Sequence, residues 1–196
     1  MIFETIVITT DIAGNPHVTP FGVRYIDDLI VFSPFIPSIT LDNVLLTECA
    51  SISLTDDVRV FAGAITGKQA WQLKPTEQIA GFFLQDALAH QELKLVSVQQ
   101  DNLRPVLHFK SVYQANHQPF KGYNRAQAAV IELAVLASRL HLLPLEKIAT
   151  EMQYLQIAID KTAGEHELQA WAWLCEKINN YRAQNPVLKA TSINPT

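Results

Sequence analysis

The chain has 196 residues, of which 48% are hydrophobic and 17% are charged, and its formal net charge is -4 at pH 7. This composition is typical of a folded globular protein and excludes a disordered chain. Its 15 Lys and Arg residues form no basic run, which disfavours nucleic acid as a partner. We recognise neither a signal peptide nor an apolar stretch near the roughly 20 residues of a membrane span, so we expect a cytoplasmic protein with no membrane partner.

Short runs of β-branched and aromatic residues dominate the first 118 residues and predict strands. The predicted strands are 2–9, 18–25, 29–32, 51–54, 58–65, 93–98 and 106–113. Turn residues at 11–15 and 27–28 join the first three, which predicts an antiparallel meander. Antiparallel order favours a barrel or a sandwich, and the sequence has no glycine pattern of a Rossmann or phosphate-binding loop.

Helices are predicted within and after this β region. One spans 38–48 with Ser38 as its N-cap, and another lies within 74–89, opened by Pro75. After residue 120, apolar residues recur at spacings of three and four, which predicts three helices separated at Pro144 and Gly164. We therefore predict an α+β protein with a barrel domain over 1–118, a helical domain over 119–184 and a flexible tail over 185–196.

The sequence offers little side-chain chemistry of its own. Cys49 and Cys175 are isolated and are expected to be buried, reduced thiols. The six histidines are scattered singly, so no metal site is predicted and a metal hydrolase is disfavoured. There is no G-x-S-x-G elbow of a serine hydrolase, and no side chain stands out as an obligatory acid or base.

The helix start at Ser38 is the first candidate site. The free N–H groups of a first helical turn, together with the positive end of the helix dipole, can hold a phosphate. An ordinary capped helix is the commoner explanation of such a pattern. Asp42 adds negative charge near this helix start, and Arg24 and Arg59 are the basic residues nearest in sequence that offset it if the fold brings them close.

Two other segments before residue 60 are unusual. Pro20 and Gly22 interrupt a predicted strand, which marks an edge, a bulge or the close approach of a ligand; from this segment alone a barrel corner is favoured. Asp56 and Asp57 follow a strand and point to opposite faces, so they make a poor catalytic pair. For Asp57 we favour a turn with an ion pair to Arg59, whereas Asp56 is kept as a site candidate.

The segment 119–127 joins the two predicted domains. It combines Lys121, Asn124 and Arg125 just before a helix, which is unusual for a plain linker. Asn124 is suited to cap that helix, and the two cations either reach an anion or remain solvated.

The segments 9–22, 37–43, 55–63 and 119–129 together resemble a family of uncharacterised, mainly archaeal proteins catalogued as a domain of unknown function. The resemblance covers nearly the whole chain. It implies an antiparallel split β-barrel that binds flavin mononucleotide (FMN), followed by a three-helix C-terminal domain. The split barrel is similar to that of flavin reductases and pyridoxamine-phosphate oxidases, which are generally homodimers with the flavin near the subunit interface.

The resemblance also implies a set of flavin contacts. In flavin-reductase-like proteins a Ser-x-Thr-x-x-Asn pattern at a helix start helps to bind the flavin phosphate, and Ser38, Thr40 and Asn43 match it. The flavin ring would lie along one strand and against the end of a second. The residues of the first are Thr19, Pro20, Phe21 and Gly22, and those of the second are Thr55 and Asp56.

One feature of the pattern is absent. Flavin reductases often place a basic residue inside the phosphate segment, where this chain has Ile36, Pro37 and Ile39. We expect the countercharge from Arg24, Lys121 or Arg125, in part from the second subunit, with Asn124 as a neighbouring contact.

The function that the resemblance implies is that of an FMN-binding oxidoreductase with a small-molecule redox partner. Simple hydride or electron transfer fits a chain without an evident acid or base, because the flavin supplies that chemistry. A non-enzymatic flavin or nucleotide carrier or sensor is the alternative. An empty barrel used only for assembly is a third possibility.

Overall fold

A computed structural model describes residues 1–69 and 71–185. The elements in chain order are β1 (Phe3–Thr10), β2 (Pro16–Ile26), β3 (Leu29–Phe32), α1 (Ile39–Thr47), β4 (Cys49–Leu54), α2 (Arg59–Thr66), β5 (Leu73–Pro75), β6 (Phe82–Leu84), β7 (Ala89–Gln99), β8 (Val106–Asn116), α3 (Arg125–Ser138), α4 (Leu145–Thr162) and α5 (Glu165–Gln184).

Six strands close into an antiparallel barrel in the order β1-β2-β3-β8-β7-β4. The predicted meander of the first three strands is confirmed, with Val7 opposite Thr19 and Arg24 opposite Val31. The barrel interior is apolar, and Phe32 and Phe109 from the paired strands β3 and β8 stack within it with ring centroids 4.8 Å apart. The predicted α+β class and the split barrel followed by three helices are therefore confirmed.

The predicted strand 58–65 is wrong, because this segment forms the helix α2. Its apolar residues point to two sides: Val58 and Ala62 pack on the C-terminal helices, whereas Val60 and Phe61 pack on the outside of the barrel. A segment covered on both sides is apolar throughout, and such a run does not distinguish a strand from a buried helix.

The predicted helix within 74–89 is also wrong, because β5 and β6 form a two-stranded hairpin there. The turn between them is held from outside. Glu92 of β7 accepts hydrogen bonds from the backbone N–H groups of Glu77, Gln78 and Ile79. A buried carboxylate from another strand thus satisfies three backbone donors of this turn.

The three C-terminal helices are confirmed, and they enclose a core that includes Val130, Leu133, Ile148 and Leu174. α2 lies within residues 1–118, the predicted barrel domain, but Ala62 of this helix packs in the core of the C-terminal helices. The boundaries at residues 118 and 184 stay predictions. Asn185 is the last described residue of the predicted tail, and 186–196 lie outside the described residues.

Candidate functional site

A groove of about 490 Å³ lies where β2, the start of α1 and the second half of α3 meet. We call it the β2–α1 groove. It brings together six of the residues that the sequence selected, namely Thr19, Pro20, Phe21, Gly22, Ser38 and Thr40. It is also lined by Ser33, Phe35, Arg104, Ser138 and Arg139.

The start of α1 forms one end of this groove. Ser38 has extended backbone angles and is the N-cap, because its hydroxyl accepts a hydrogen bond of 3.1 Å from the N–H of Leu41. The first turn leaves the N–H groups of Ile39 and Thr40 without an intrahelical acceptor. Thr40 is buried and lines the groove, whereas Asp42 is exposed and does not. The groove is therefore lined by Ile39 and Thr40, which carry free N–H donors, and not by the carboxylate of Asp42.

Arg104 supplies positive charge beside this helix start. Its guanidinium donates a hydrogen bond of 3.1 Å to the carbonyl of Ser33 and lies 4.4 Å from the ring centroid of Phe35. Its backbone is also fixed, because the carboxylate of Asp101 accepts hydrogen bonds from the N–H groups of Leu103 and Arg104. The arginine is thus held by its backbone, its hydrogen bond and its aromatic neighbour.

Sequence reasoning missed Arg104. The turn at Asp101 carries a local signal, since an aspartate commonly accepts hydrogen bonds from residues two and three positions later. No local signal links this turn to the helix start at Ser38. That link is made by the barrel, in which β3 pairs with β8, and by a hydrogen bond from the N–H of Ile36 to the carbonyl of Leu103.

The helical domain forms a further wall of the groove. Ser138 ends α3, and Arg139 follows as its C-cap. The charged side chains that line the groove are those of Arg104, Arg139 and Glu4. Burial lowers the pKa of His17, which also lines it, so this ring is neutral at pH 7. The charge of the lining is therefore +1, which favours an anionic ligand.

Gly22 has no side chain, and the space that a side chain would fill is taken by Ile2. A Cβ atom at Gly22 would lie 2.7 Å from Cγ2 of Ile2. The side chain of Ile2 is 63% exposed. Gly22 thus leaves room for Ile2, which precedes β1, to pack against β2. A ligand over this position would contact Ile2.

Two predicted phosphate contacts do not line the groove. Asn43 is buried on the inner side of α1, where its side-chain amide donates a hydrogen bond of 3.0 Å to the hydroxyl of Thr9. It therefore fastens α1 to β1. Arg24 lies opposite Val31 in the β2–β3 pair and is absent from the groove lining.

The remaining predicted contacts line two other depressions. Asp56, Lys121, Asn124 and Arg125 border a polar groove of about 960 Å³ between the barrel and the helical domain. Thr55 lines a third groove, of about 780 Å³. Within one chain, these residues and the start of α1 thus belong to different surfaces.

The structure confirms the expected Asp57–Arg59 ion pair and the Asn124 cap, and it corrects the expected burial of the two cysteines. The ion pair between Asp57 and Arg59 is confirmed at 2.5 Å, and Asn124 caps α3 by accepting a hydrogen bond of 2.8 Å from the N–H of Ala126. Cys49 and Cys175 are free thiols that are only half-buried, and burial raises the pKa of both.

Residues 1–69 and 71–185 lack two kinds of feature, a metal cluster and a membrane-spanning helix. No group of three or more His, Cys, Asp or Glu side chains is arranged to hold a metal ion. Of the helices in these ranges, none combines the length and the apolar character that crossing a bilayer requires.

The N-terminal domain model of a family described as "Protein of unknown function (DUF447)" matches residues 3–118, and a second model of the same family matches residues 124–176. The chain belongs to the DUF447 family. The family resemblance inferred from the sequence is therefore confirmed. Among curated proteins, no match to this DUF447 chain was found.

Solved structures with the same fold include one from this family. The FMN-bound DUF447 protein MM1853 from Methanosarcina mazei is 20% identical, with a TM-score of 0.78 over 90% of this chain and 94% of that one. The 2-nitrobenzoate 2-nitroreductase NbaA from Pseudomonas fluorescens is 16% identical, with a TM-score of 0.51 over 58% and 64% of the two chains. A split-barrel protein from Shewanella frigidimarina, described as a flavin reductase, is 14% identical, with a TM-score of 0.53 over 63% and 74%. These likenesses identify the fold of the DUF447 chain.

Proposed function

We propose that this DUF447 protein binds FMN in the β2–α1 groove and acts as an oxidoreductase on a small-molecule partner. One observation carries the proposal: the same groove contains the Thr19–Gly22 strand segment, the start of α1 and the fixed Arg104. An FMN-bound member of the family supports the choice of ligand.

The phosphate would bind at the start of α1. The donors available there are the N–H groups of Ile39 and Thr40 and the hydroxyl of Thr40. Ser38 already caps the helix through its oxygen, and its hydroxyl proton remains available to an anion. Arg104 supplies the countercharge, because its guanidinium is held beside the helix start by Ser33 and Phe35.

The rest of the flavin would lie along β2 and beneath α3. The segment Thr19–Gly22 offers backbone groups, and Phe21 extends into the apolar interior of the barrel. Ile131, Ala134 and Val135 of α3 cover the groove from the opposite side and exclude water from part of it. Bound FMN supplies hydride or electron transfer. The protein binds it, orients it and restricts solvent access.

We extend the proposal to a homodimer. Ile2 lines the β2–α1 groove, and beside it Phe3 and Tyr25 pack edge to face at 5.7 Å while each remains more than 40% exposed. An exposed aromatic pair next to a ligand groove is typical of a protein interface. In a dimer, Asp56, Lys121, Asn124 and Arg125 of the second subunit are available to the flavin. Sedimentation equilibrium with Tyr25→Glu tests this arrangement, and a wild-type monomer at micromolar concentration would exclude it.

FMN binding is tested first by the absorption spectrum of the purified protein and by acid release of any flavin. The affinity is then measured by quenching of FMN fluorescence. Arg104→Gln removes the charge and is expected to weaken binding about ten- to hundredfold, which corresponds to a lost hydrogen bond to a charged group. Arg24→Gln is the matched control, since Arg24 does not line the groove. Equal affinities of the two variants would place the phosphate elsewhere.

Oxidoreductase activity is tested separately from binding. Under anaerobic conditions, the flavin-loaded protein is mixed with NADH or NADPH and then with an organic acceptor, and the flavin absorbance is followed. Reduction and reoxidation in repeated cycles are expected. A bound flavin that no donor reduces would favour a carrier or sensor, and failure to bind FMN at all would overturn the whole proposal.

A further inference from the structure

Three titratable side chains form a hydrogen-bonded row away from the β2–α1 groove. Glu92 is fully buried, and its carboxylate lies 3.2 Å from Nε2 of His90. His90 is 2% exposed, and its Nδ1 lies 2.8 Å from Nε2 of His117, which is exposed. The row thus runs from a carboxylate inside the protein to an imidazole at the surface.

The carboxylate at the inner end is held as an anion. Burial alone would raise the pKa of Glu92, but hydrogen bonds from the N–H groups of Glu77, Gln78 and Ile79, and from His90, lower it below its usual value. The three backbone donors lie 2.7, 2.6 and 3.1 Å from the carboxylate oxygens. Glu92 is therefore an acceptor, and the facing nitrogen of His90 must be a donor.

This assignment fixes the protons of the whole row when both rings are neutral. His90 carries its proton on Nε2 and accepts with Nδ1, so His117 must donate with its own Nε2–H. Nδ1 of His117 is then left unprotonated at the outer end. Phe83 stacks on both imidazoles, at 3.9 Å from His90 and 5.2 Å from His117, and the rings are parallel within 8°. This stacking holds the two rings in an arrangement that is compatible with the N–H···N hydrogen bond.

The outer end of the row opens into the third groove, which Thr55 also lines. Its lining combines amides, apolar side chains and an aromatic pair. Phe120 and Tyr123 pack edge to face at 5.2 Å, and they are 56% and 99% exposed. Leu54 and Leu88 add apolar surface, and Asn116 adds an amide. This chemistry suits a flat organic molecule that also carries a hydrogen-bond donor.

The groups around His117 leave it neutral. Burial, the adjacent His90 and the positive charge of Lys74 lower the pKa of His117. Tyr113 packs beside His90 with ring centroids 5.7 Å apart, and Glu4 lines the groove that His117 faces. A neutral imidazole with an unprotonated outer nitrogen has a lone pair free to accept a hydrogen bond or a proton from a bound ligand.

We propose that the row Glu92–His90–His117 is a proton-accepting site, and that its ligand is a flat organic molecule with an acidic O–H or N–H bound in the third groove. The O–H or N–H bond of the ligand breaks, its electron pair stays on the ligand, and the proton bonds to Nδ1 of His117. Protonated His117 then donates a stronger hydrogen bond to His90, which donates to the Glu92 anion. No proton has to reach Glu92, whose part is to orient and stabilise.

This site goes beyond FMN binding and does not depend on it. Glu4 lines both this groove and the β2–α1 groove, so the two ligands would be neighbours. His117 is the residue that touches the ligand, and His90 and Glu92 are positioning residues. The experiments below follow the histidine tautomers and the ionisation of a probe, and neither requires bound flavin.

The first test is ¹⁵N NMR of histidine-labelled protein at neutral pH. The expected result is that both His90 and His117 are the Nε2–H tautomer, with Nδ1 of His117 unprotonated. His90→Phe preserves the ring stacked on Phe83 but removes both nitrogens, and it should weaken the preference of His117 for the Nε2–H tautomer. A protonated Nδ1 on His117 in the wild type, or an unchanged preference in His90→Phe, would overturn the proposal.

The second test uses 4-nitrophenol, a flat probe whose deprotonated form absorbs visible light. With excess wild-type protein, at a pH where the free probe is mostly protonated, the ratio of phenolate to phenol should rise above that of the free probe. His117→Gln should abolish the rise, and His141→Gln, at an exposed histidine outside the row, should retain it. Failure of the wild type to bind the probe, or an equal rise in His117→Gln, would refute the site.

Discussion

Replacing Glu92 by Gln should destabilise the protein strongly, because this buried carboxylate holds the β5–β6 turn on the barrel. One carboxylate oxygen accepts from the N–H of Glu77 and faces His90, and the other accepts from Gln78 and Ile79. An amide retains one acceptor oxygen only. Whichever way it is oriented, at least one backbone donor then faces an N–H₂ group instead of an oxygen.

The size of the effect follows from this count. A hydrogen bond to a charged group contributes about 1.5–3 kcal/mol, and a buried donor left without an acceptor costs about 1–3 kcal/mol. We therefore expect Glu92→Gln to lower the free energy of unfolding by about 2–4 kcal/mol. The measurement is urea unfolding at pH 7 followed by far-ultraviolet circular dichroism.

Glu77→Gln is the matched control, since it makes the same chemical change in the same turn at an exposed side chain. It should change the free energy of unfolding by less than about 0.5 kcal/mol. The pH dependence gives a second check. Because the pKa of Glu92 is lowered in the folded state, its contribution is complete above about pH 4.3, the ordinary glutamate value, and is lost as the pH falls through the lowered pKa. The reasoning fails if Glu92→Gln is no less stable than Glu77→Gln at pH 7.

Three further predictions concern stability. Asn43→Ala removes the amide that joins α1 to Thr9 and should lower the free energy of unfolding by about 1–3 kcal/mol, measured by urea unfolding; no loss would mean that this buried contact is dispensable. Gly63→Ala places a Cβ atom 2.1 Å from the carbonyl oxygen of Lys68, so the chain after α2 must shift, at a cost of about 1–3 kcal/mol in the same measurement; an unchanged urea midpoint would contradict this. Asn124→Ala removes the cap of α3 together with the hydrogen bond that the amide donates to the carbonyl of Thr162, and should cost about 1–2 kcal/mol in urea unfolding; a loss below about 0.5 kcal/mol would contradict this.

The strands of the barrel and the three C-terminal helices could be predicted from the sequence, because each carries a local pattern. The β1–β3 meander has alternating or β-branched runs joined by turn residues, and the C-terminal helices have apolar residues at spacings of three and four. The Ser38 cap and the Asn124 cap could also be predicted, since a cap depends on residues two or three positions away.

The two wrong elements failed for a reason that lies outside their own segments. α2 is apolar on two sides because it is enclosed between the barrel and the C-terminal helices, so its helical spacing is obscured. The segment 74–89 has helix-compatible composition, but its backbone donors are taken by Glu92 of β7. In both cases tertiary contacts override local propensity.

The sequence by itself determined the α+β class, the order of most elements and the helix start at Ser38, because each depends on neighbours along the chain. Only the tertiary structure decided which residues surround that helix start. Closure of the barrel through the β3–β8 pair brings Arg104 to Ser33, and α3 brings Arg139 to the same groove. The tertiary structure likewise places Glu92, His90 and His117 in one hydrogen-bonded row. Contacts between segments far apart in the chain leave no local pattern, and for that reason only the folded chain reveals them.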